Sequence, residues 1–571
     1  MPIALGGALT GRDRRRLVTD HEVASARPTH DGAGVVVQVR GQAFHLTTRS
    51  GPARALAATA GVRVRDAQPL GATAHSVHVT DASGDGAIEV VTVDGTAPPR
   101  VLAANELGRV LSMTAAHDGS TVAVVSHDGR ILVVDVESGD VDEVGHGTRG
   151  EPTGLAFSPD SRWLAWSQPV GRQFSQLRVV DLSVASGNRS SVALTGGRFV
   201  DTEPVFTSDG DHLAFLSTRT FDPMYDRYVF AMSIPSGTRP WLLPLRATTP
   251  SPFGPSVEGW SLRDPAVQPP TADGEGEQPP PAPTTPAAGP PPPVDIDVDG
   301  IEERVVAVPV PAADYRSLRV ADTALLWLHV PVHGVLGTAA AADRPPRPAL
   351  ERYDLTARKH DVLREEVDGF EVTGDGGYVL LRDRDKLTAV PSDRKVPDDD
   401  PARIDVDLIR IHAELDPISE WRQMFDETVR LMRDHFWRDD MGGTDWDAVA
   451  ARYRPLVERA GGHDDVVDLL WETVAELGTS HAYVMPRDDP PAPEEVQGLL
   501  GADLVVRRRH VVDRQPSCPV SRRIRGRHRR CVRREWAPSR ATSSPRSAAS
   551  RSIRCSGQDP DSSALRAHRP S

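Results

Sequence analysis

Two periodicities divide this chain. From about residue 22 to 396, short apolar runs alternate with turns that carry Asp or Gly; from about Pro401 the apolar period lengthens to 3.6. The turn-and-run unit is clearest at His117-Asp118-Gly119 before Val122-Ala123-Val124-Val125, and at Ser158-Pro159-Asp160 before Trp163-Leu164-Ala165-Trp166. It recurs at Ser208-Asp209-Gly210 before Leu213-Ala214-Phe215-Leu216, and at Gly374-Asp375-Gly376 before Tyr378-Val379-Leu380-Leu381. Weaker copies fall at Asp31-Gly32, Gly71-Ala72-Thr73 and Ala321-Asp322. Between equivalent points at 31, 72, 118, 160, 209, 322 and 375, most intervals are 41 to 53 residues. A four-stranded propeller blade takes about 40–50 residues. The one long interval contains Pro265–Pro293, where 12 of 29 residues are proline and no ladder can form, so it reads as an extended surface insertion. Setting it aside leaves close to two blades there, for a total of seven or eight, and seven is favoured. A pair of packed β-sheets is the alternative that such degenerate repeats allow.

The second part predicts helices. Asp416-Pro417 supplies an N-cap and a proline at the first helical position. Trp421, Met424, Phe425, Thr428, Leu431, Met432, His435 and Phe436 then share one face. Gly442-Gly443 makes a turn, and Thr444-Asp445-Trp446-Asp447 resembles a capping box that opens a second helix. A third runs from about Asp464 to Leu477, with Gly478 where a left-handed C-cap is expected.

Charge changes the picture at the C-terminus. The net charge is −14, yet residues 507–571 carry 18 Arg, no Lys and four acids, so the preceding 506 residues carry −28. An acidic body argues against nucleic acid as the main partner. All three cysteines, Cys518, Cys531 and Cys555, lie in the basic segment, and a cysteine-free body suits a reducing, cytoplasmic compartment. No apolar run of about 18 residues predicts a membrane span, and no signal-peptide core is seen at the N-terminus.

Several motifs that would carry other chemistries are incomplete or absent. Asp295-Ile296-Asp297-Val298-Asp299-Gly300 imitates the start of a calcium loop, but position 12, which needs a bidentate Glu, is Val306, and the alternation suits a strand. No His-Glu-x-x-His, G-x-S-x-G or Walker-type pattern occurs, so neither a metal nor a cofactor is expected. What remains is Leu477-Gly478-Thr479-Ser480-His481-Ala482-Tyr483-Val484, with a Ser-His pair just past the third helix. An imidazole can act as a general base near neutrality once a partner orients it. A histidine after a helix end is otherwise an ordinary surface residue, and spacing alone does not separate the two roles.

A wider match does. Trp421-Arg422-Gln423-Met424-Phe425, Arg433-Asp434-His435-Phe436-Trp437, Asp440 to Trp446 and Leu477 to Val484 together resemble the core helical domain of tricorn protease homologues. Arg40-Gly41-Gln42-Ala43-Phe44 and Val294 to Ile301 resemble that family's seven-bladed propeller. The resemblance covers roughly residues 20 to 505. It implies a serine peptidase of short peptides in which His481 is the general base and Ser480 an auxiliary serine that orients the catalytic network. It also implies a propeller that gates unfolded peptides, and a homo-oligomer. In the family, the nucleophilic serine, its orienting glutamate and the oxyanion donors lie in a later domain, after a PDZ domain. Here the pattern stops after Gly498 to Leu504.

The expected organisation is an N-terminal remnant (1–21), a mainly β, seven-bladed propeller (22–396) with the proline-rich insertion (265–293), a small α-helical domain (402–486) and the start of a PDZ region (487–505). A disordered basic tail (506–571) completes it. For that tail, an out-of-frame reading of GC-rich coding sequence accounts best for its Arg, Ser, Pro and stray Cys. A basic arm and a divergent domain are the alternatives. On the out-of-frame reading the chain is truncated, without its nucleophile, and probes for peptidase activity are expected to fail. A non-catalytic module that binds peptides or partner proteins is the competing function.

Overall fold

A computed structural model of the chain describes residues 10–17, 22–226, 231–233, 236–254, 291–332, 346–485, 502–506 and 512–516. The chain forms two units, Met1–Pro490 and Pro491–Ser571. The first is mainly β, a propeller followed by a small helical region. Five separate four-stranded antiparallel sheets span residues 23–57, 64–102, 110–146, 314–364 and 369–406. An eight-stranded sheet occupies residues 153–307, and a single parallel bridge, Ser175 to Val200, joins its two antiparallel groups.

Five of the recurring turns explain how the strand after them begins. Asp31, Asp118, Asp160, Asp209 and Asp375 each accept the backbone N–H two residues on, at 3.0, 2.9, 3.2, 3.0 and 3.0 Å. Thr29, Ser158, Thr207 and Thr373 donate their hydroxyls to four of these carboxylates. The side chain thus closes the loop locally and launches the next strand. That strand is the second of its blade and is buried on both faces, as in Gly34–Val39, Thr121–Ser126, His212–Thr218 and Ala324–Val330. Stacked blades cover both of its sides, so it reads as a continuous apolar run rather than an alternation. Outer strands such as Ala53–Ala57 and Lys359–Arg364 are mostly half-buried or exposed and carry no such signal.

Neighbouring blades are stitched through the same turns. Ala72 N donates to His117 O (2.8 Å) and Asp118 N to Ser161 Oγ (3.2 Å). Asp375 N donates to His30 O (2.9 Å), and Arg382 donates to the carbonyls of Val23 (2.8 Å) and Ala24 (3.1 Å). These last bonds join the sheet at 369–406 to the sheet at 23–57, so the ring is closed.

Two expectations change. The run Asp295–Gly300, read as strand-like, enters no ladder; Val294 is fully buried against Leu213, Phe215 and Leu243, and Asp297 accepts from Ala247 N at 2.8 Å. Anchoring of alternate residues in a core needs no strand partner. In the second unit, Val512–Pro516 pairs antiparallel with Ala502–Val506, which corrects the expectation of disorder over that part of the tail. Val505-Val506 and Val512 supply the β-branched residues that favour pairing. Most of the proline-rich insertion and of the tail lies outside the described residues.

The helices start where their caps predict. Asp416 accepts from Ser419 N (3.3 Å) ahead of α1 (Pro417–His435), and Asp445 accepts from Ala448 N (3.0 Å) ahead of α2 (Trp446–Val457). The third helix, α3, spans His463–Ala475. Trp421 and Phe425 of α1 pack with Val457, Val466 and Leu470 in a small core. The outer side of α1 lies on the propeller through charges. Glu427, only 6% exposed, receives Arg109 (2.8 Å), Arg63 (3.3 Å) and Arg430 (2.9 Å). Arg430 also reaches Asp81 (2.8 Å), and Arg433 reaches Asp85 (2.8 Å). Arg40 forks onto Glu420 at 2.6 and 3.2 Å.

Burial pushes the Glu427 carboxyl up, but hydrogen bonds and charge from Arg109, Arg430 and Arg63 outweigh it and hold the group at about 2, against 4.5 for an ordinary Glu. The stabilisation is therefore complete above pH 4.5 and is lost as pH falls toward 2, a span worth roughly 3 kcal/mol. Glu427→Gln, which leaves three arginines without their shared anion, should weaken the seam by about 3 kcal/mol at pH 7 and flatten this acid limb. Amide exchange in α1, followed from pH 7 down to pH 3, measures both; unchanged exchange in the variant would remove Glu427 from the seam.

Candidate active site at the end of the helical region

The Ser480-His481 pair is delivered by the way α3 ends. Leu477 is buried among Met441, Trp446 and Val449, which pins the chain just past the last turn. Gly478 N donates to Ala475 O (3.0 Å), and Gly478 takes φ +60, the left-handed conformation that frees the chain from the helix axis. Ser480 and His481 emerge on the surface, both exposed. His481 itself sits at φ +64, a conformation that histidine visits more readily than most residues.

The imidazole keeps aromatic company. Its Nδ1 lies 3.2 Å from the Tyr483 hydroxyl, and the two rings meet edge-on at 6.0 Å. Tyr483 in turn meets Trp471 of α3 edge-on at 6.1 Å. Tyr483 is the one hydrogen-bond partner of the His481 ring among the described residues, which leaves Nε2 open. Neither Ser480 nor a carboxylate bonds to the ring among these residues. The chain brings together His481, Tyr483 and Trp471, and sets Ser480 beside them without joining it. What this arrangement offers chemically is an accessible base that has one ring nitrogen steadied and the other free.

A cavity of about 730 Å³ lies next to this segment, at the junction of the first blade with α1 and α3. Val484 and Met485, directly after Tyr483, form part of its wall, as do Arg40, Gln42 and Glu420. His481 and Ser480 stand outside the wall. The Arg40–Glu420 pair was not anticipated from sequence. Glu420 and Glu427 lie seven residues apart on α1, hence on one face, and that acidic stripe was the available signal. Among the described residues no cluster of His, Cys, Asp and Glu could hold a metal, and no helix is long and apolar enough to cross a membrane.

Comparison with known proteins bears on this geometry. A family model for the tricorn protease second β-propeller domain matches residues 23–392, and one for the tricorn protease C1 domain matches residues 417–475. The chain is 48% identical over 516 residues to tricorn protease homolog 1 of Streptomyces coelicolor, covering 88% of this chain and 46% of that protein. It is 37% identical over 600 residues to putative tricorn protease homolog 2 of the same organism, covering 89% of this chain and 49% of the relative. The chain thus spans about half the length of the relatives it matches. A crystal structure of the tricorn protease shares the fold with a TM-score of 0.66 at 22% identity, covering 84% of this chain and 43% of that one.

The left-handed hinge at Gly478 generates a test. A Cβ there would meet nothing within 4 Å, so the cost of Gly478→Ala is conformational alone, about 1 kcal/mol, and Asn should recover most of it. Thermal unfolding should rank wild type, Asn and Ala in that order of stability, and equal midpoints would deny the hinge its role.

Proposed function

Because the chain belongs to the tricorn protease family, we propose that it supplies the peptide-handling part of a serine peptidase, with His481 as the general base. The observation that carries this reading is the exposed imidazole at the end of the helical region, with Nδ1 on Tyr483 and Nε2 open beside a cavity large enough for a short peptide. In such chemistry His481 takes the proton of an attacking serine, an acyl-enzyme forms, and water completes hydrolysis. Ser480 acts as an auxiliary hydroxyl that orients the network. Short peptides and unfolded segments are the substrates, and the propeller admits them. The eight-stranded sheet is read as two blades whose strands pair with each other at a single parallel bridge, Ser175–Val200, which brings the count to seven. A cytoplasmic location and a homo-oligomer belong to the same reading.

Peptide hydrolysis also needs a nucleophile and oxyanion donors beside the base, since these groups act as a unit. His481 bonds only to Tyr483 among the described residues, so on this reading the polypeptide does not turn over peptides unaided. The same observation favours the second reading, a non-catalytic module that binds peptides. Assays of the purified chain on short fluorogenic peptides are expected to show no hydrolysis. Adding the part of the Streptomyces coelicolor relative that this chain does not cover should give turnover that His481→Ala abolishes. Turnover indifferent to His481→Ala would remove the base assignment, and peptide binding without turnover in the mixture would select the binding module.

A further inference from the structure

A second cavity, of about 290 Å³, opens between the sheet at 110–146 and the strands that follow residue 153. His146, Arg149, Gln168, Gln176, Arg178 and Ser191 are in its walls, and no Asp or Glu is. That is unusual in a body whose first 506 residues carry −28. Nothing in the peptidase reading uses it.

The donors are held in place. Trp166, fully buried, forms part of the lining, and its indole N–H, which can only donate, is bonded to Gln168 Oε1 at 3.2 Å. That bond fixes a carboxamide only 7% exposed and leaves its Nε2 as a donor with no protein acceptor among the described residues. Arg178 spends Nε and Nη2 on Ser191, at 3.2 and 3.1 Å to Oγ and 2.8 Å to O. Its Nη1 has no acceptor among the described residues. Burial pushes the Arg178 guanidinium down from its usual pKa, and no carboxylate offsets that. Among other part-buried arginines, Arg189 is paired with Asp142, Arg219 with Asp201 and Arg430 with Asp81, whereas Arg382 is spent on two backbone carbonyls. Arg149, exposed at the mouth, has no carboxylate partner among the described residues either. Glu143, which lies 3.3 Å from the His146 ring, is not in the lining.

We propose that this pocket binds a compact oxyanion, a carboxylate or phosphate group, gripped by Arg178 and Arg149 with Gln168 as a neutral donor. A planar guanidinium with an unused edge matches either group, and a fixed amide adds direction. The mouth adjoins the helical region's support: His146 pairs in register with Arg130, and Gly147 N donates to Gly129 O at 2.8 Å. In that same turn His127 meets His435 of α1 edge-on at 5.9 Å.

Calorimetric titration of the full chain with inorganic phosphate, and separately with succinate, tests this at constant ionic strength set by chloride. Saturable binding of one or both anions is expected, weakened at least about tenfold by Arg178→Gln and by Arg149→Gln. Tighter phosphate assigns a phosphoryl ligand, and tighter succinate a carboxylate such as a peptide's acidic group. Arg149 is exposed, so its replacement leaves the blade intact and decides the matter even if Arg178→Gln fails to fold. Absence of saturable binding by either anion, or an affinity that Arg149→Gln leaves unchanged, overturns the proposal.

Discussion

A ring of blades has to be closed by chain segments far apart in sequence, and everything after the ring inherits its position from that closure. Here Arg382 reaches Ala24 across 358 residues, and Asp375 reaches His30 beside it. Joining such distant segments costs loop entropy that grows only slowly with length, so the apolar faces of stacked blades can offset it. Closure holds the first blade, whose Arg40 turn receives Glu420 of α1. Through α1 it holds the small helical core, and through α3 the left-handed Gly478 that sets His481 on the surface. The candidate base therefore depends on a contact made by the first and last sheets.

Apolar burial and charge do different work at the seam. Trp421 and Phe425 stabilise the helices against one another, and that attraction has little directional preference. The ion pairs between α1 and the turns of the first three blades are directional. Glu420 and Glu427 meet Arg40, Arg63 and Arg109, while Arg430 and Arg433 meet Asp81 and Asp85. A shift of α1 by one turn would oppose like charges, so the pairs select a register even where desolvation cancels much of their attraction.

What could be read beforehand follows from which residues face which environment. The Asp-bearing turns and the doubly buried second strands were visible because both are locally determined. Asp160, Asp209 and Asp375 bond their own loops, and the runs after them are apolar whatever the neighbouring blade. The helix caps at Asp416 and Asp445 and the Gly478 turn were visible for the same reason. The outer strands were not, because in a strand such as Lys359–Arg364 only Leu363 is buried, and the half-buried or exposed positions around it place little apolar demand on sequence. Of the candidate site, the position of His481 was legible; Tyr483 as its partner was not, since residues two apart meet only when the backbone turns as it does at φ +64. Glu427 escaped because a charged residue on an amphipathic helix is by default solvent-facing, and only the arginines of other blades make its burial tolerable.

The two cavities show how neighbouring carboxylates decide what an arginine is for. At the seam, Arg40 lines a larger space, but Glu420 already occupies two of its donors, so its charge is committed to holding α1. In the smaller pocket Arg178 is steadied only by the neutral Ser191, and the wall contains no acid. Elsewhere a part-buried arginine is either matched by a carboxylate, as Arg189 is by Asp142 and Arg219 by Asp201, or spent on backbone carbonyls, as Arg382 is on Val23 and Ala24. An unneutralised, part-buried guanidinium is a cost to the folded chain unless an anion from outside supplies the missing charge. The acidic body repels such an anion at long range, so what holds it must act at contact distance, from the pocket wall that Arg178, Arg149 and the fixed amide of Gln168 share.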